Sequence, residues 1–346
     1  MAVKIEDVAR KAGVSPSTVS RTLNNKGRIS EETRQRVIEA ARELDYPLAS
    51  EAGLPHPRTN RIGILFDRRL RSIASDPFYG MVMVGVEEWL RGEGYQVLFA
   101  TLSQAEADMA MIAELGSERS ERSVDGLIMA GCDIELECIQ AVVSMGMPLV
   151  LVDNNIAEPK VPCAMTDNIA GAREAVEHLI ALGHKEIAMV SGPMTHSSLY
   201  ERYQGYRQAI EANGLQVRPE MVISYNDVAD YDINGGYRAA LRLLNGSRRP
   251  TAIFAANDSM AIGVMKAAQE LRLAVPDDLS VVGFDDIELA AHTTPALTTV
   301  RVHKRKLGYH AARLLLELIE CEQDCVPYKI VVSTELISRG STCERR

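Results

Sequence analysis

The sequence predicts two dissimilar parts: a small all-α segment at the N-terminus, then an α/β body built on two doubly wound parallel sheets. Three observations predict this. The first 46 residues carry apolar residues at helical spacing in three short stretches. Residues 47–60, PLASEAGLPHPRTN, interrupt that pattern with three prolines and a glycine, the composition of a linker. Beyond them, short continuous apolar runs alternate with amphipathic stretches long enough to be helices, which is how strands covered on both faces of a parallel sheet read. At 346 residues the chain also exceeds what one hydrophobic core usually organises.

The first predicted helix covers about 5–12, places Ile5, Val8, Ala9 and Ala12 on one face, and stops at Gly13. The second covers about 17–24 with Val19 and Leu23 facing inward. The third starts at Ser30, a good N-cap, and runs through Thr33, Val37, Ala40, Ala41 and Leu44 to about Asp45. In the body, RIGILFD, VLFATL, GLIMAG, PLVLVD, EIAMVSGP, MVISYND, TAIFAAND and LSVVGFDD are the predicted strands. The unit repeats about eight times, enough for two doubly wound domains in tandem.

Composition narrows the function. The net charge of −9 argues against nucleic acid until its distribution is read: residues 1–60 hold ten Lys and Arg against eight Asp and Glu, and the rest hold 28 against 39. Only the first segment has a balance suited to a phosphate backbone. No apolar run approaches the roughly 20 residues that span a bilayer. The N-terminus, MAVKIEDVARKAG, is charged from the start, so a cytoplasmic protein with no membrane partner is expected. The six cysteines (132, 138, 163, 321, 325 and 343) are scattered. Cys321 and Cys325 lack the companions of a metal site, so free thiols and no metal are expected.

The segment DVARKAGVSPSTVSRTLNN reads as a helix-turn-helix. Gly13 relieves the chain at the corner, Val14 supplies an apolar contact there, and Ser15 can cap a second helix with Pro16 in its first turn. With Val19 and Leu23 inward, Ser17, Ser20, Arg21 and Asn24 point outward, a face that fits a major groove. Followed by ISEETRQRVIEAARELDY, this segment resembles the headpiece of the lactose-repressor (LacI/GalR) family. The resemblance implies dimers that read the two halves of a near-palindromic operator. It makes Pro16, Ser17 and Arg21 the base-reading positions, with Thr18, Ser20 and Asn24 holding phosphates. The linker is similar to the family hinge at Tyr46, Pro47, Ala49 and Leu54, but Leu48 replaces the usual Asn and Ala52 the usual Arg. Leu54 is expected to wedge into a base step of the minor groove. A hinge helix ending in Gly53-Leu54-Pro55 would be short and weak, and a flexible tether is the alternative.

The resemblance continues over 61–340 and implies the fold of periplasmic sugar-binding proteins, two α/β subdomains joined by three crossing strands with a small ligand between them. The expected N-subdomain is about 61–161 and 292–322, the C-subdomain about 162–291 and 323–340. Ligand residues belong on loops at the carboxyl ends of strands. Those loops offer Asp76, Phe78 and Tyr79 (DPFYG), Asp153, Ser198 and Arg202, Tyr231, Asn257 and Asp285. Arg202 stands three residues before Gly205, as the family's ligand-binding Arg does, and Tyr231 at its stacking aromatic. Carboxylates, an amide and a guanidinium grip vicinal hydroxyls in pairs while aromatic rings cover apolar sugar faces, so the set favours a mono- or oligosaccharide. Asn257, Asp258, Asp285 and Asp286 could instead cap the helices that follow. The Arg68, Arg69 and Arg71 loop reads as a flap, a site for an acidic ligand, or a solvated loop. His303 and Lys304 stand where the family often has other residues.

The expected function is a transcriptional regulator, a repressor by resemblance, acting as a homodimer or a tetramer and shifted between two states by its effector. A nucleobase-responsive regulator is the alternative within the family, and a sugar-binding protein without a regulatory role a more distant one. The sequence has no nucleophile elbow, P-loop or dinucleotide fingerprint, so no enzyme and no cofactor are expected.

Overall fold

A computed structural model of the chain describes residues 4–23, 29–44, 59–66, 76–102, 105–117, 120–131, 134–225, 231–321 and 326–345. It divides into two units, 1–58 and 59–346.

The first unit is a three-helix cluster: α1 (Ile5–Ala12), α2 (Pro16–Leu23) and α3 (Glu31–Glu43). Its boundaries follow from local chemistry. The Asp7 carboxylate accepts the Lys4 N–H at 3.0 Å and fixes the start of α1. Gly13 ends it in the left-handed region, at φ 66°. Ser15 Oγ accepts the Thr18 N–H at 3.1 Å, so Ser15 caps α2 as its position predicts, and Ser30 Oγ accepts the Thr33 N–H at the head of α3. Val8, Ala9, Ala12, Val19, Val37, Ala40 and Ala41 form the core, with Ile5, Val14 and Leu44 packed at its margin. A core so small has little to spare, since each well-buried aliphatic side chain contributes about 1.5–3 kcal/mol.

The second unit contains two six-stranded sheets. Sheet A is ordered β11-β5-β4-β3-β1-β2, and sheet B β12-β10-β9-β8-β6-β7. The strands of sheet A are β1 (Arg61–Phe66), β2 (Gln96–Thr101), β3 (Gly126–Ala130), β4 (Leu149–Val152), β5 (Cys163–Thr166) and β11 (Lys329–Val332), all parallel. Those of sheet B are β6 (Ile187–Ser191), β7 (Val222–Ser224), β8 (Ala252–Ala255), β9 (Ser280–Asp285), β10 (Thr298–Arg301) and β12 (Glu335–Ile337), of which β12 alone runs antiparallel to its neighbour. Central strands such as β3 and β4 are buried along their whole length, whereas the edge strands β2 and β11 alternate or are exposed.

Helices α4 (Tyr79–Gly92) and α12 (Lys304–Glu320) cover one face of sheet A, and α5 (Ala105–Leu115) and α6 (Leu136–Ser144) the other. On sheet B, α9 (Ile233–Leu244) and α10 (Asp258–Glu270) lie on one face and α7 (Asn168–Ala181) and α8 (Ser197–Ala212) on the other. The short α11 (Glu288–His292) follows β9.

The boundaries expected from sequence are corrected at three places. β5 and β11 pair in sheet A, so the first crossing lies after Thr166 rather than at 161–162, and part of 323–340 belongs to the N-subdomain. β10 pairs with β9, so 292–301 belongs to the C-subdomain and the chain crosses between Arg301 and Lys304. The third crossing joins β11 to β12. The reason is pairing: β5 reads CAMT and β11 KIVV, without the longer apolar runs of the predicted strands, and they become strands by joining sheet A, β5 beside β4 and β11 at the edge. Cys138, Cys163 and Cys343 are free, as expected, but Cys321 is disulfide-bonded, which corrects the reading of six free thiols. Among the described residues no helix is long and apolar enough to cross a membrane.

Helix α12 touches α4 backbone to backbone. A Cβ on Gly308 would lie 1.9 Å from the Val82 carbonyl oxygen, and one on Gly85 would lie 2.0 Å from that of Arg305. Neither helix can yield without disturbing sheet A. Gly308→Ala should therefore destabilise the second unit by about 1–3 kcal/mol, read as a lower melting temperature, while a control Gly92→Ala, in open space, should not.

Candidate functional site

The carboxyl ends of the strands of both sheets carry the polar residues picked out by sequence. Asp153 follows β4, Asn257 follows β8, and Asp285 ends β9. Ser198 and Arg202 sit in the first two turns of α8. Phe78 and Tyr79 open α4.

Arg202 is the centre. It is 2% exposed. Its Nε donates to Asn168 Oδ1 at 2.9 Å, one terminal nitrogen donates to the Ala256 carbonyl at 2.5 Å, and the other lies 3.2 Å from Asp285 Oδ1. The guanidinium carbon stands 3.8 Å above the centre of the Phe284 ring. Asn168 is held in turn, its Nδ2 donating to Glu201 at 3.0 Å. Burial alone would make Arg202 easier to deprotonate, but Asp285, Tyr231 and Asp153 outweigh it and the cation is strengthened.

Asp153 joins the subdomains. Its carboxylate accepts the Tyr79 hydroxyl from the N-subdomain at 3.1 Å and the Ser198 hydroxyl from the C-subdomain at 2.6 Å. Phe78 packs against the cores of both sheets. Tyr231 lies against the end of β6, where a Cβ on Gly192 would come within 2.6 Å of its ring, so only glycine lets the ring settle there. Tyr231 also hydrogen-bonds Asn257, and burial raises its hydroxyl pKa well above the usual range.

Two residues have local duties. Asp76 Oδ1 accepts the N–H groups of Phe78 and Tyr79 at 2.9 and 2.7 Å and so caps α4. Asn257 Oδ1 accepts the Met260 N–H at 2.7 Å and caps α10, as its place before that helix allows. Asp258 and Asp286 do not cap as supposed. Asp258 holds the Ile287 N–H at 2.8 Å and the Thr299 hydroxyl at 2.5 Å. Asp286 binds Arg301 and Arg339, each at 2.7 Å.

Electrostatics follow from this burial. Desolvation, aided by Asp153 and Asp76 and opposed by Arg202 and Lys304, raises the Asp285 pKa to about 6. Desolvation and the neighbouring Asp285 push Asp258 to about 8, against its two hydrogen bonds and Lys304. Among the described residues Asp285 Oδ1 faces only the Arg202 guanidinium, at 3.2 Å and outside good hydrogen-bond geometry. A buried acceptor left in that state costs free energy that an incoming donor recovers. The residues that sequence reasoning did not single out for this site are Asn168 and Phe284; Lys304, noted there only as a departure from the family, lies beside it. Among the described residues, no group of His, Cys, Asp and Glu could hold a metal ion.

On α2, Pro16, Ser17 and Arg21 are exposed, and Thr18 and Ser20 are half-buried. The hydroxyls of Ser17 and Thr18 each lie 2.8 Å from Ser15 Oγ. Asn24, Leu54 with its hinge, and Arg68, Arg69 and Arg71 lie outside the described residues.

Residues 4–47 match the family described as bacterial regulatory proteins, lacI family, and residues 176–342 match a periplasmic binding protein-like domain. The chain is 32% identical over 344 residues to the transcriptional repressor CytR of Escherichia coli, covering 99% of this chain and 96% of that protein. The chain belongs to the LacI family. It is also 33% identical over 341 residues to the probable repressor ExuR of Bacillus subtilis, covering 98% of each. Among solved structures, a CelR–cellobiose complex superposes with TM-score 0.75 at 30% identity, covering 98% of this chain and 99% of that one. The lac repressor dimer bound to operator and the anti-inducer ONPF gives 0.70 at 29%, covering 99% and 100%. As a LacI-family member the chain is a DNA-binding transcriptional regulator of the helix-turn-helix type, controlled by a small-molecule effector, and the family is one of regulators rather than enzymes.

Asp258 gives this regulator a pH signature. Its folded pKa lies above its unfolded one, so its contribution to stability is fully present below the ordinary carboxylate range and is lost as pH rises toward about 8. In urea unfolding at pH 5 to 8, the wild type should lose stability relative to Asp258→Asn as pH increases. A difference that stays constant would contradict the assignment.

Proposed function

We propose that the chain is a repressor that binds a near-palindromic operator as a homodimer and is switched by a neutral mono- or oligosaccharide held between its subdomains. In this reading α2 lies in the major groove, where Pro16, Ser17 and Arg21 read bases and Thr18 and Ser20 hold phosphates. Asn24 and Leu54, both outside the described residues, complete it with a phosphate contact and a minor-groove wedge.

The observation that supports the effector class is the state of Arg202. Its hydrogen bonds and ion pair already go to Asn168, Ala256 and Asp285, so it offers little positive charge to a ligand. Around it stand Asp76, Asp153 and Asp285, against which the one further cation named at the site, Lys304, is turned to backbone carbonyls. A carboxylated or phosphorylated effector would meet net repulsion. Vicinal hydroxyls fit, because they donate to Asp153 and Asp285 and accept from the remaining guanidinium N–H groups. Solved relatives carry cellobiose and ribose. Asp76, Phe78, Tyr79, Asp153, Ser198, Arg202, Tyr231, Asn257 and Asp285 are the proposed lining. Occupancy then changes operator affinity by the ligand's difference in affinity between two states.

A thermal-shift panel of neutral saccharides, sugar acids and nucleobases tests this. A neutral saccharide at a hundredfold excess over its Kd should stabilise the protein by about 2.7 kcal/mol and change operator affinity by about 5–150-fold. Stabilisation by a sugar acid or a nucleobase alone would overturn the effector class. Arg202→Ala should abolish the response. Arg21→Ala should cost about 1–3 kcal/mol of discrimination between the operator and its single-base variants, and equal weakening on all sequences would move Arg21 from base reading to phosphate contact.

A further inference from the structure

Lys304 lies beside the proposed effector lining and links the two subdomains. It is the first residue of α12, a helix of the N-subdomain that packs on α4 and on strands of sheet A. Yet its ammonium crosses to the C-subdomain and donates to two successive backbone carbonyls, those of Asp285 and, at 3.0 Å, Asp286.

Those carbonyls belong to a strained turn. Asp285 and Asp286 have φ of 106° and 50°, in the left-handed region where a side chain is costly, about 1–3 kcal/mol for each such residue. Such a conformation persists only when its surroundings hold it. The other ties come from the C-subdomain: the Ile287 N–H to Asp258 at 2.8 Å, the Asp286 N–H to Thr299 at 3.4 Å, and Arg301 and Arg339 on the Asp286 carboxylate. Lys304 reaches the turn from the N-subdomain.

The contacts close a ring through both subdomains. Asp285 pairs with Arg202 on α8, Ser198 on α8 bonds Asp153, and Asp153 bonds Tyr79 at the head of α4. The helix α4 meets α12 at Gly85 and Gly308 with no side chain between them, and α12 returns to Asp285 through Lys304. An effector gripping Asp153 and Asp285 would pull on this ring at two points. We propose that Lys304 is a positioning residue that transmits occupancy of the cleft at Asp285 to the N-subdomain, so that effector binding and operator response depend on it unequally. This rests on reading the cleft as the effector site.

The test uses the full chain with Lys304→Met, which keeps side-chain length and removes the charge, and Lys304→Arg. The probes are D-ribose, cellobiose and an operator duplex recovered by selection from random DNA with the wild type. Hydrogen–deuterium exchange is followed in the peptide 284–288. In Lys304→Met, exchange there should be about tenfold faster, with the headpiece unchanged. The variant should bind whichever sugar the wild type binds within about fivefold, while the sugar-dependent change in operator affinity falls below about twofold. Lys304→Arg should restore the response. The inference is overturned by unchanged exchange, by a variant that keeps the full response, or by sugar affinity and response falling together, which marks a merely structural role. If the wild type binds neither sugar, the response is read with the neutral saccharide that the thermal-shift panel returns, and the carbohydrate reading fails if the panel returns none. Exchange and the sugar-free operator affinity, expected to differ by about fivefold from wild type, then decide the role of Lys304.

Discussion

The second unit is organised around one buried cation. A guanidinium removed from water costs several kcal/mol unless it finds acceptors and an opposite charge stands close. Arg202 meets that requirement with partners from four places: Asn168 at the start of α7, Ala256 after β8, Phe284 inside β9 and Asp285 at its end. Each partner lies at the carboxyl edge of a strand or the head of a helix. Satisfying the cation therefore fixes how the loops around the cleft converge, and it leaves acceptors rather than charge for a ligand. The site is pre-organised because the alternative is an unpaired charge in the core.

The same requirement explains the turn at Asp285–Asp286. To reach Arg202, the Asp285 carboxylate leaves the end of β9 on a left-handed backbone, and the following residue is left-handed as well. The surrounding polar groups tie into this segment: Asp258 accepts the Ile287 N–H and the Thr299 hydroxyl, and Arg301 and Arg339 bind Asp286. They share the strain, so the loss of any one tie loosens the others. The raised pKa of Asp258, to about 8, is a consequence of placing a carboxyl in that position with Asp285 beside it.

Local chemistry made the headpiece legible. The caps at Ser15 and Ser30 and the left-handed Gly13 are decided by neighbours three or four residues apart, so residue types suffice to place them. The proposed effector lining was legible only as loop positions after strands. Which of its members would serve as caps, as Asp76 and Asn257 do, depends on contacts that type alone does not determine. Asn168 and Phe284 were illegible because one looks like an ordinary helix start and the other like a core aromatic; their role exists only through Arg202, 34 residues from Asn168 in the chain. β5 and β11 escaped for a different reason, since a four-residue strand becomes a strand by joining an existing edge.

The charge distribution gives the two units complementary electrostatic roles. Residues 1–60 carry a small positive balance and the remainder a strongly negative one. An acidic body adds nothing to backbone attraction and raises the cost of approach to DNA, so sequence-independent affinity stays low. Affinity must come from the headpiece, and a headpiece with so small a core and so modest a charge binds weakly on its own. In the proposed homodimer, two headpieces acting on one operator gain by effective concentration. In that reading, an effector-dependent change in how well both headpieces engage the operator is amplified into a change in affinity without any new contact to DNA. In the proposed reading, weak headpieces and an acidic body let a small effector suffice to switch the protein.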